Sequence, residues 1–268
     1  MLYFDTSIPV PGPGGWRPSR RAVMFSGAAA AGVVALAAAS PLVLGRVNPV
    51  RPSGPEPGST ARLRDAAVLI DVTDPFTANQ LQFLSTGLRA YAERLPAGDQ
   101  ISADLLLSSE QAPLRRMLAG VKPRSGATAN PLIENPRLMD TDYDAFLARF
   151  DAAVAAAGEI KRGTQPSPIV EAIWVRAQRG PIDDLTLWSD MVNHSATVNH
   201  FRSKFAKFDA SSTRNVALTQ LGSLRGARVS VYQLAINVSH QTAKLRAWWD
   251  GYWAAAGVAD VKWTRVPA

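Results

Sequence analysis

Hydrophobic and polar positions alternate in two ways along the chain from Arg62 onward. Short apolar runs bounded by polar residues are typical of buried strands, and apolar positions spaced three or four apart are typical of helices that face a core. We predict strands at Val68–Val72, Asp99–Ser109, Leu185–Ser189, Arg228–Leu234 and Val261–Val266. We predict helices at Ala78–Leu95, Tyr143–Glu159, Pro168–Gln178, Thr213–Leu224 and Gln241–Ala256. This alternation predicts an α/β fold with a mostly parallel sheet flanked by helices.

Two local features refine this prediction. The segment Glu110–Thr141 is rich in Pro, Asn and Gly and is too long for a plain connector, so we expect a functional loop or short helices within it. Ser167 precedes Pro168 at the start of a predicted helix. Because hydroxyl side chains suit the N-cap and proline suits the first helical position, Ser167 is expected to cap this helix.

The N-terminal quarter of the chain differs from the rest in composition. Residues 1–21 are rich in Pro and Gly and are predicted to be a disordered tail. Residues 22–45 (Ala22–Gly45) carry no charge, and a helix of that length spans a bilayer, which needs about 20 residues. The arginines before this segment predict a cytoplasmic N-terminus. Residues 46–61 form a Pro-rich linker, and residues 62–268 form the α/β domain.

These features predict a single-pass protein of the inner (plasma) membrane, with the C-terminal domain on the extracytoplasmic or periplasmic side. One alternative is a cleaved export signal, because Ser19-Arg20-Arg21 resembles a twin-arginine signal and Ala37-Ala38-Ala39 offers a cleavage site. A buried helix is the third interpretation of the apolar segment. Both export interpretations place the domain outside the cytoplasm.

Composition narrows the possible chemistry. The chain of 268 residues has no cysteine, which excludes disulfides, thiolate metal sites and a cysteine nucleophile. Its net charge of +7 would suit nucleic acid or anionic lipid. The folded part has no basic run interleaved with aromatic residues, and part of the charge flanks the apolar segment. We therefore expect contact with a membrane through residues 22–45 and none with nucleic acid.

Oxygen-bearing side chains stand where three predicted elements begin or end. Asp71 and Thr73 end the first strand, Ser167 (or Thr164) precedes a helix, and Asp190 ends a later strand. In an open α/β sheet, ligands bind at the carboxyl ends of the strands. A carboxylate beside a hydroxyl suits Mg²⁺ or Mn²⁺, because these ions prefer oxygen ligands.

The segments LIDVTDP, GTQPSPIVEAI and LTLWSDM, in this order, resemble the three metal-site segments of von Willebrand factor A (vWA) domains. That family has Asp-x-Ser-x-Ser, a distant Thr and a further Asp around one Mg²⁺ or Mn²⁺. The resemblance covers roughly residues 65–266 and implies a Rossmann-like sheet with a metal ion-dependent adhesion site (MIDAS) on its upper edge. The metal residues that it implies are Asp71, Thr73, Ser167 and Asp190.

The match departs from the family pattern at two points. Pro75 stands where the second Ser belongs and has no side-chain ligand, so Asp74 and Thr77 are the nearby substitutes. Thr164 fits the distant Thr by its Gly-Thr context, whereas Ser167, which we prefer, fits by its spacing to the following helix.

The resemblance implies a binding protein, not an enzyme, in which the metal captures an acidic group of an unknown protein partner. One alternative is a metal-assisted phosphate-ester hydrolase that uses Asp71. Another is a structural component of an envelope complex with a vestigial metal site. The aspartates could also merely cap helices or turns, and Thr73 could be an ordinary strand residue.

Other residues give weaker signals. The three histidines, His194, His200 and His240, are expected at the surface or in loops. Ser189, Asp190 and His194 suggest a hydrolase triad, but the chain lacks a Gly-x-Ser-x-Gly elbow. The aromatic cluster Trp248–Trp253 is expected mainly in the core, with one of its two i, i+4 pairs, Trp249/Trp253 or Trp248/Tyr252, as a candidate exposed partner surface.

Overall fold

The computed structural model describes residues 63–159, 166–202, 207–211 and 222–268. The predicted tail, apolar segment and linker lie outside these residues, and so do Thr164 and most of the predicted helix Thr213–Leu224. Within the described ranges, no helix is both long and apolar enough to cross a membrane.

The described residues form six strands and four α-helices. The strands are β1 (Asp65–Asp71), β2 (Gln100–Leu106), β3 (Leu114–Val121), β4 (Asp184–Ser189), β5 (Arg228–Leu234) and β6 (Asp260–Val266). The helices are α1 (Ala78–Arg94), α2 (Pro136–Gly158), α3 (Ile169–Ala177) and α4 (Ala243–Ala255). Short 3-10 turns lie at Gly126–Thr128, Gly222–Leu224 and Val238–His240.

All six strands belong to one sheet with the order β3-β2-β1-β4-β5-β6. β3 is antiparallel to β2, and the other neighbouring pairs are parallel. The predicted α/β fold with a mostly parallel sheet and flanking helices is therefore confirmed. β1 lies near the middle of the sheet, where residues 66–70 are at most 1% exposed. A near-continuous apolar run is typical of a parallel strand that is covered on both faces.

Each face of the sheet has its own apolar core. One core contains side chains of α1 and α2, including Leu84, Leu88 and Phe150. The other contains side chains of α3 and α4, including Ile173 and Trp249. Alternate residues of each strand supply the two cores, because successive side chains of a strand point to opposite faces.

Side-chain caps fix where the helices begin. Thr77 and Gln80 form a capping box at the start of α1, in which each side chain bonds the other residue's backbone N–H. Asn135 caps α2, which begins at Pro136, and Thr242 caps α4. These polar side chains satisfy backbone N–H groups that lack a partner within the helix.

The prediction for Glu110–Thr141 was incomplete. This segment contains β3 and the start of α2, which is capped by Asn135 and begins seven residues before the predicted Tyr143. β3 is an edge strand with two consecutive arginines and a single buried residue, so it lacks the alternation that marks a half-buried strand. Edge strands often carry such charges, which oppose pairing with another chain.

The predicted N-cap role of Ser167 was wrong. Pro168 occupies the N-cap position of α3 and has no capping side chain, and Asn193 Oδ1 instead accepts from the backbone N–H of Val170 at 2.8 Å. The backbone of Ser167 instead pairs with His194 through two hydrogen bonds of 2.8 Å. This pairing holds Ser167 at the edge of the sheet and leaves its hydroxyl available for another contact.

His200 lies in the loop after β4, one of the two kinds of position predicted for it, but not at the surface. His200 is buried: its ring lies 4.5 Å from that of Trp248, and its Nδ1 accepts a hydrogen bond from the Asn193 backbone N–H. Burial lowers the pKa of His200 to about 4. The aromatic residues of α4 are all at most 5% exposed, which confirms that the cluster lies in the core, and neither pair forms the exposed surface that was suggested as a candidate.

Candidate functional site

The pairing of β1 with β4 brings the predicted site residues to one edge of the sheet. Ile70 lies opposite Trp188 in the parallel register, so Asp71 and Ser189 follow as neighbours at the ends of the two strands. Asp190 comes directly after β4. This edge contains the carboxyl ends of both strands, where open α/β sheets bind ligands.

The carboxylate of Asp71 accepts hydrogen bonds from three hydroxyls. Its Oδ1 accepts from the backbone N–H and the Oγ1 hydroxyl of Thr73, at 3.0 and 2.7 Å. Its Oδ2 accepts from Ser189 Oγ at 2.7 Å and from Ser167 Oγ at 3.4 Å. All four residues are buried. Three of the four predicted metal residues, Asp71, Thr73 and Ser167, are therefore in contact.

Asp190, the fourth predicted residue, lies beside this cluster and has its own partners. Its Oδ1 accepts from the backbone N–H of Val192, and its Oδ2 accepts from Asn237 Nδ2, both at 2.8 Å. Asn237 Nδ2 also donates to Asp74 Oδ2 at 3.2 Å. Asn237 has a left-handed backbone conformation, with φ of 48°, in the turn that follows β5. Its amide thus joins the carboxylates that follow β1 and β4.

The three carboxyl groups have raised pKa values. Burial raises the pKa of Asp71, although its hydrogen bonds to Thr73, Ser189 and Ser167 oppose this effect. Burial and the nearby charge of Asp71 raise the pKa of Asp190 to about 8. The same two causes raise the pKa of Asp74. Three acids that resist ionisation at one edge form a site that a proton or a cation would stabilise.

The chemistry of these donors fits a hard divalent cation. In the described part of the chain, the hydrogen-bond partners of Asp71 and Asp190 are hydroxyls, backbone N–H groups and an amide, with no lysine or arginine among them. Carboxylate and hydroxyl oxygens are ligands that Mg²⁺ and Mn²⁺ accept. Within the same part, no three His, Cys, Asp or Glu side chains are grouped to hold a metal. A metal at this edge would therefore depend on the hydroxyls.

Structure adds two residues that the sequence did not identify as metal-site residues. Ser189 supplies a third hydroxyl to Asp71, and Asn237 joins Asp74 to Asp190. Ser189 ends a predicted strand beside Asp190, but its contact with Asp71 depends on the register of β4 against β1, which the sequence does not show. Asn237 had no such signal. Thr77 does not substitute for Pro75, since its hydroxyl accepts from Gln80 to cap α1.

α4 contacts the turn that follows β4 and fixes its backbone. Met191 has a φ of 64°, which side chains other than glycine rarely adopt. Its carbonyl oxygen accepts a hydrogen bond of 2.8 Å from Trp249 Nε1, and both residues are fully buried. The buried indole therefore fixes the backbone directly after Asp190.

The hydrolase triad suggested by Ser189, Asp190 and His194 is not assembled. The Ser189 hydroxyl donates to Asp71 and accepts from the backbone N–H of Met191. The His194 ring packs 5.3 Å from that of Phe201, and its backbone pairs with Ser167. A nucleophilic serine needs a base within hydrogen-bond reach, and His194 is not the partner of Ser189.

Comparison with known proteins gives little guidance on identity. No protein-family model matches the sequence, and no curated protein matches it. Thirteen chains among the solved structures match, and one of them is described as "von Willebrand factor type A from Catenulispora acidiphila". It is 9% identical with a TM-score of 0.37, over 74% of this chain and 43% of that chain. This chain thus spans less than half the length of that one. So weak a similarity carries no information about the site or the function, and the α/β architecture rests on the strand order described above.

Proposed function

We propose that the α/β domain is a binding module that captures a protein partner at the carboxyl edge of its sheet. Mg²⁺ or Mn²⁺ would be held there by Asp71, Thr73, Ser167 and Asp190. An acidic side chain of the partner would complete the site. The proposal combines the order of the three vWA-like segments with the geometry of the residues that they contain.

One observation carries this proposal. The buried Asp71 carboxylate is surrounded by the hydroxyls of Thr73, Ser167 and Ser189, with Asp190 beside it and no cationic side chain among their described partners. Burying carboxylates without a countercharge is costly, so it demands protonation or a bound cation. Hydroxyls that donate to Asp71 favour its ionised form, and an ionised buried carboxylate is better matched by a cation than by a proton.

The residues at this edge would have different roles in binding the metal. Asp71 and Asp190 would supply the negative charge, and Thr73 and Ser167 would supply neutral oxygens. When bound, the metal supplies a Lewis-acidic position that attracts an outside carboxylate. Asn237 donates to Oδ2 of both Asp74 and Asp190 and would hold these two carboxylates in place beside the metal.

The proposed location follows from the N-terminal sequence. Residues 22–45 would anchor the chain in the inner (plasma) membrane, and residues 46–61 would carry the domain on the extracytoplasmic side. Binding is favoured over catalysis because Ser189 donates to Asp71, and no histidine base is its partner among the described residues. The alternative is a structural envelope component with a vestigial metal site, and the experiment must distinguish it from a metal-dependent binding module.

The test is thermal unfolding of the full chain in detergent, first with EDTA and then with millimolar Mg²⁺ or Mn²⁺. A ligand at a hundredfold excess over its Kd stabilises the folded state by about 2.7 kcal/mol. We expect the melting temperature to rise with metal in the parent chain and in Asp250→Asn, an exposed control. The rise should be absent in Asp71→Asn and Asp190→Asn. A parent chain that does not respond to either metal would contradict the metal site and favour the structural alternative.

Partner capture needs a separate measurement. Immobilised peptides that differ only by Asp against Asn at one position would be screened with Mn²⁺ and with EDTA. We expect retention that requires both the peptide carboxylate and the metal. Equal retention of both peptide forms would contradict an acidic contact at this edge.

A further inference from the structure

Three large apolar side chains project into solvent before and at the start of α2. Leu132 is 89% exposed, Ile133 82% and Leu138 60%. We call these three residues the apolar tip. Single exposed apolar residues are common on protein surfaces, but three exposed aliphatic side chains in one short segment indicate an interaction site.

The chain around the apolar tip is held in place by its own hydrogen bonds. Glu134 Oε1 accepts from Arg124 Nη1 at 2.7 Å, and its Oε2 accepts from the backbone N–H of Asn130 at 2.6 Å. Asn130 Oδ1 then accepts from the backbone N–H of Leu132 at 3.1 Å. The fold therefore fixes the backbone beside Leu132 and Ile133 while these side chains remain in solvent.

This segment is also attached to the first turns of α2. The backbone N–H of Gly126 donates to Asp140 Oδ1 at 2.7 Å. A Cβ added to Gly126 would come within 2.3 Å of the Pro136 carbonyl oxygen, so only glycine permits this close approach. The loop and the helix start form one ordered unit from which the apolar tip projects.

The sheet register shows at which edge the loop before the apolar tip begins. Asp65, Gln100 and Val121 lie in one row across β1, β2 and β3, and β3 ends in this row because it runs antiparallel. The backbone N–H of Gly98 donates to the carbonyl of Lys122 at 2.9 Å. The loop that leads to the apolar tip thus leaves the sheet at the edge where β1 begins.

Helix packing places the start of α2 at the same edge. Lys122 Nζ lies 5.7 Å from the Tyr143 ring and donates to the Glu93 carbonyl near the end of α1. At the other end of α2, a Cβ on Gly158 would lie 3.2 Å from Leu81, near the start of α1. α2 therefore runs antiparallel to α1, and the apolar tip lies at the end opposite to Asp71 and Asp190.

The rest of the chain joins the domain at this edge as well. The Arg64 carbonyl accepts a hydrogen bond of 2.8 Å from the backbone N–H of Gln100, and Leu63 directly precedes it. The apolar segment of residues 22–45 is connected to Leu63 by 17 residues, which can extend over about 60 Å at most. This length allows the edge of the domain at which β1 begins to reach the bilayer.

We propose that the apolar tip inserts into the interface of the bilayer that anchors the chain, which orients the metal-site edge away from the membrane. This inference rests on the proposed anchor. Three aliphatic side chains are too few for a stable protein interface, which buries about 800 Å² on each partner. They suffice for a membrane contact, since the anchor keeps the domain at a high effective concentration near the lipid.

The absence of cysteine from the chain allows a direct test. Ile133→Cys carries a nitroxide label at the apolar tip. Val238→Cys is the control, because Val238 is 51% exposed in the turn after β5, at the opposite edge. Each labelled full-length chain is reconstituted into vesicles of phosphatidylcholine and phosphatidylglycerol, and co-flotation verifies the anchor. Relaxation by oxygen, which concentrates in lipid, is then compared with relaxation by a water-soluble nickel chelate.

We expect oxygen to relax the label at position 133 several-fold more strongly than the nickel chelate does, with the opposite order at position 238. If the chain floats and both labels are relaxed mainly by nickel, the anchor stands and the inference about the apolar tip is overturned. If the label at 133 is shielded from both reagents, it contacts protein, which also overturns the inference. A chain that does not float would overturn both the anchor and the apolar-tip contact.

Discussion

Ser189 Oγ lies 2.7 Å from Asp71 Oδ2, across two neighbouring parallel strands. The serine hydroxyl donates to a buried carboxylate that already accepts from Thr73 on its other oxygen. Pro75 offers no side-chain hydroxyl to Asp71, and Ser189 supplies a hydroxyl contact from the adjacent strand. This bond is therefore the most specific feature on which to test the candidate site.

Ser189→Ala should destabilise the domain and weaken its response to metal. The substitution removes a hydroxyl donor from a buried carboxylate, which costs about 1–3 kcal/mol in the free energy of unfolding. Urea denaturation followed by tryptophan fluorescence measures this loss, and titration of the melting temperature with Mn²⁺ measures the response. The exposed Ser211→Ala is the matched control and should leave both unchanged. A Ser189→Ala chain with parental stability would show that this hydrogen bond contributes nothing.

Stability should fall as pH rises when divalent metal is absent. The folded-state pKa of Asp190 is raised to about 8, above that of the unfolded chain, so the folded protein binds this proton more tightly. Its contribution to stability is thus present at low pH and is lost between about pH 4 and pH 8, by up to about 1.4 kcal/mol per pH unit. Urea denaturation in EDTA across this range measures the slope.

Two comparisons identify the source of that pH dependence. Asp190→Asn should flatten the slope because it removes the titrating group, whereas Asp250→Asn, at an exposed position, should retain it. Saturating Mg²⁺ should also reduce the slope in the parent chain, since a cation stabilises the ionised form. An unchanged slope in Asp190→Asn would assign the pH dependence to other groups.

Trp249→Phe should disturb the turn that positions Asp190. The substitution removes the indole N–H that donates to the Met191 carbonyl, which leaves a buried acceptor without its partner at a cost of about 1–3 kcal/mol. Trp253→Phe is the matched control, because Trp253 is equally buried but its Nε1 has no hydrogen-bond partner among the described residues. Urea denaturation of the two variants should show the larger loss for Trp249→Phe. Equal losses would mean that ring volume alone decides the effect.

Gly87→Ala should destabilise the domain although alanine is the better helix former. A Cβ at position 87 would lie 2.7 Å from Trp188 Cη2, and Trp188 is stacked on Tyr232 with a ring separation of 4.1 Å. The ring cannot withdraw, so we expect a net loss of about 1–3 kcal/mol from overpacking.

Gly120→Ala is the control for this helix substitution. Its added methyl group would have its nearest neighbour, Arg149 Nη1, at 3.9 Å, so it should be tolerated. Thermal unfolding of both variants gives the comparison. A Gly87→Ala chain as stable as its parent would mean that α1 shifts to admit the methyl group.

Local patterns predicted much of the fold correctly. The apolar runs located five of the six strands, and the helical spacing located α1, α3 and α4 within a few residues. β3 was missed because it lies at the edge of the sheet and buries only one residue. Its two consecutive arginines also interrupt the alternation of apolar and polar residues that marks a strand. The start of α2 was missed because Asn135-Pro136 suits a loop as well as a capped helix.

The sequence by itself determined five of the six strands, the approximate positions of the helices, and the oxygen-bearing residues at the ends of β1 and β4. Those properties depend on neighbours a few positions away, so periodicity and caps encode them. Only the tertiary structure decided that Ser167 contacts Asp71 across 96 positions and Ser189 across 118, and that Asn237 joins Asp74 to Asp190. Such contacts depend on strand order and on burial in two cores, which many distant residues set together.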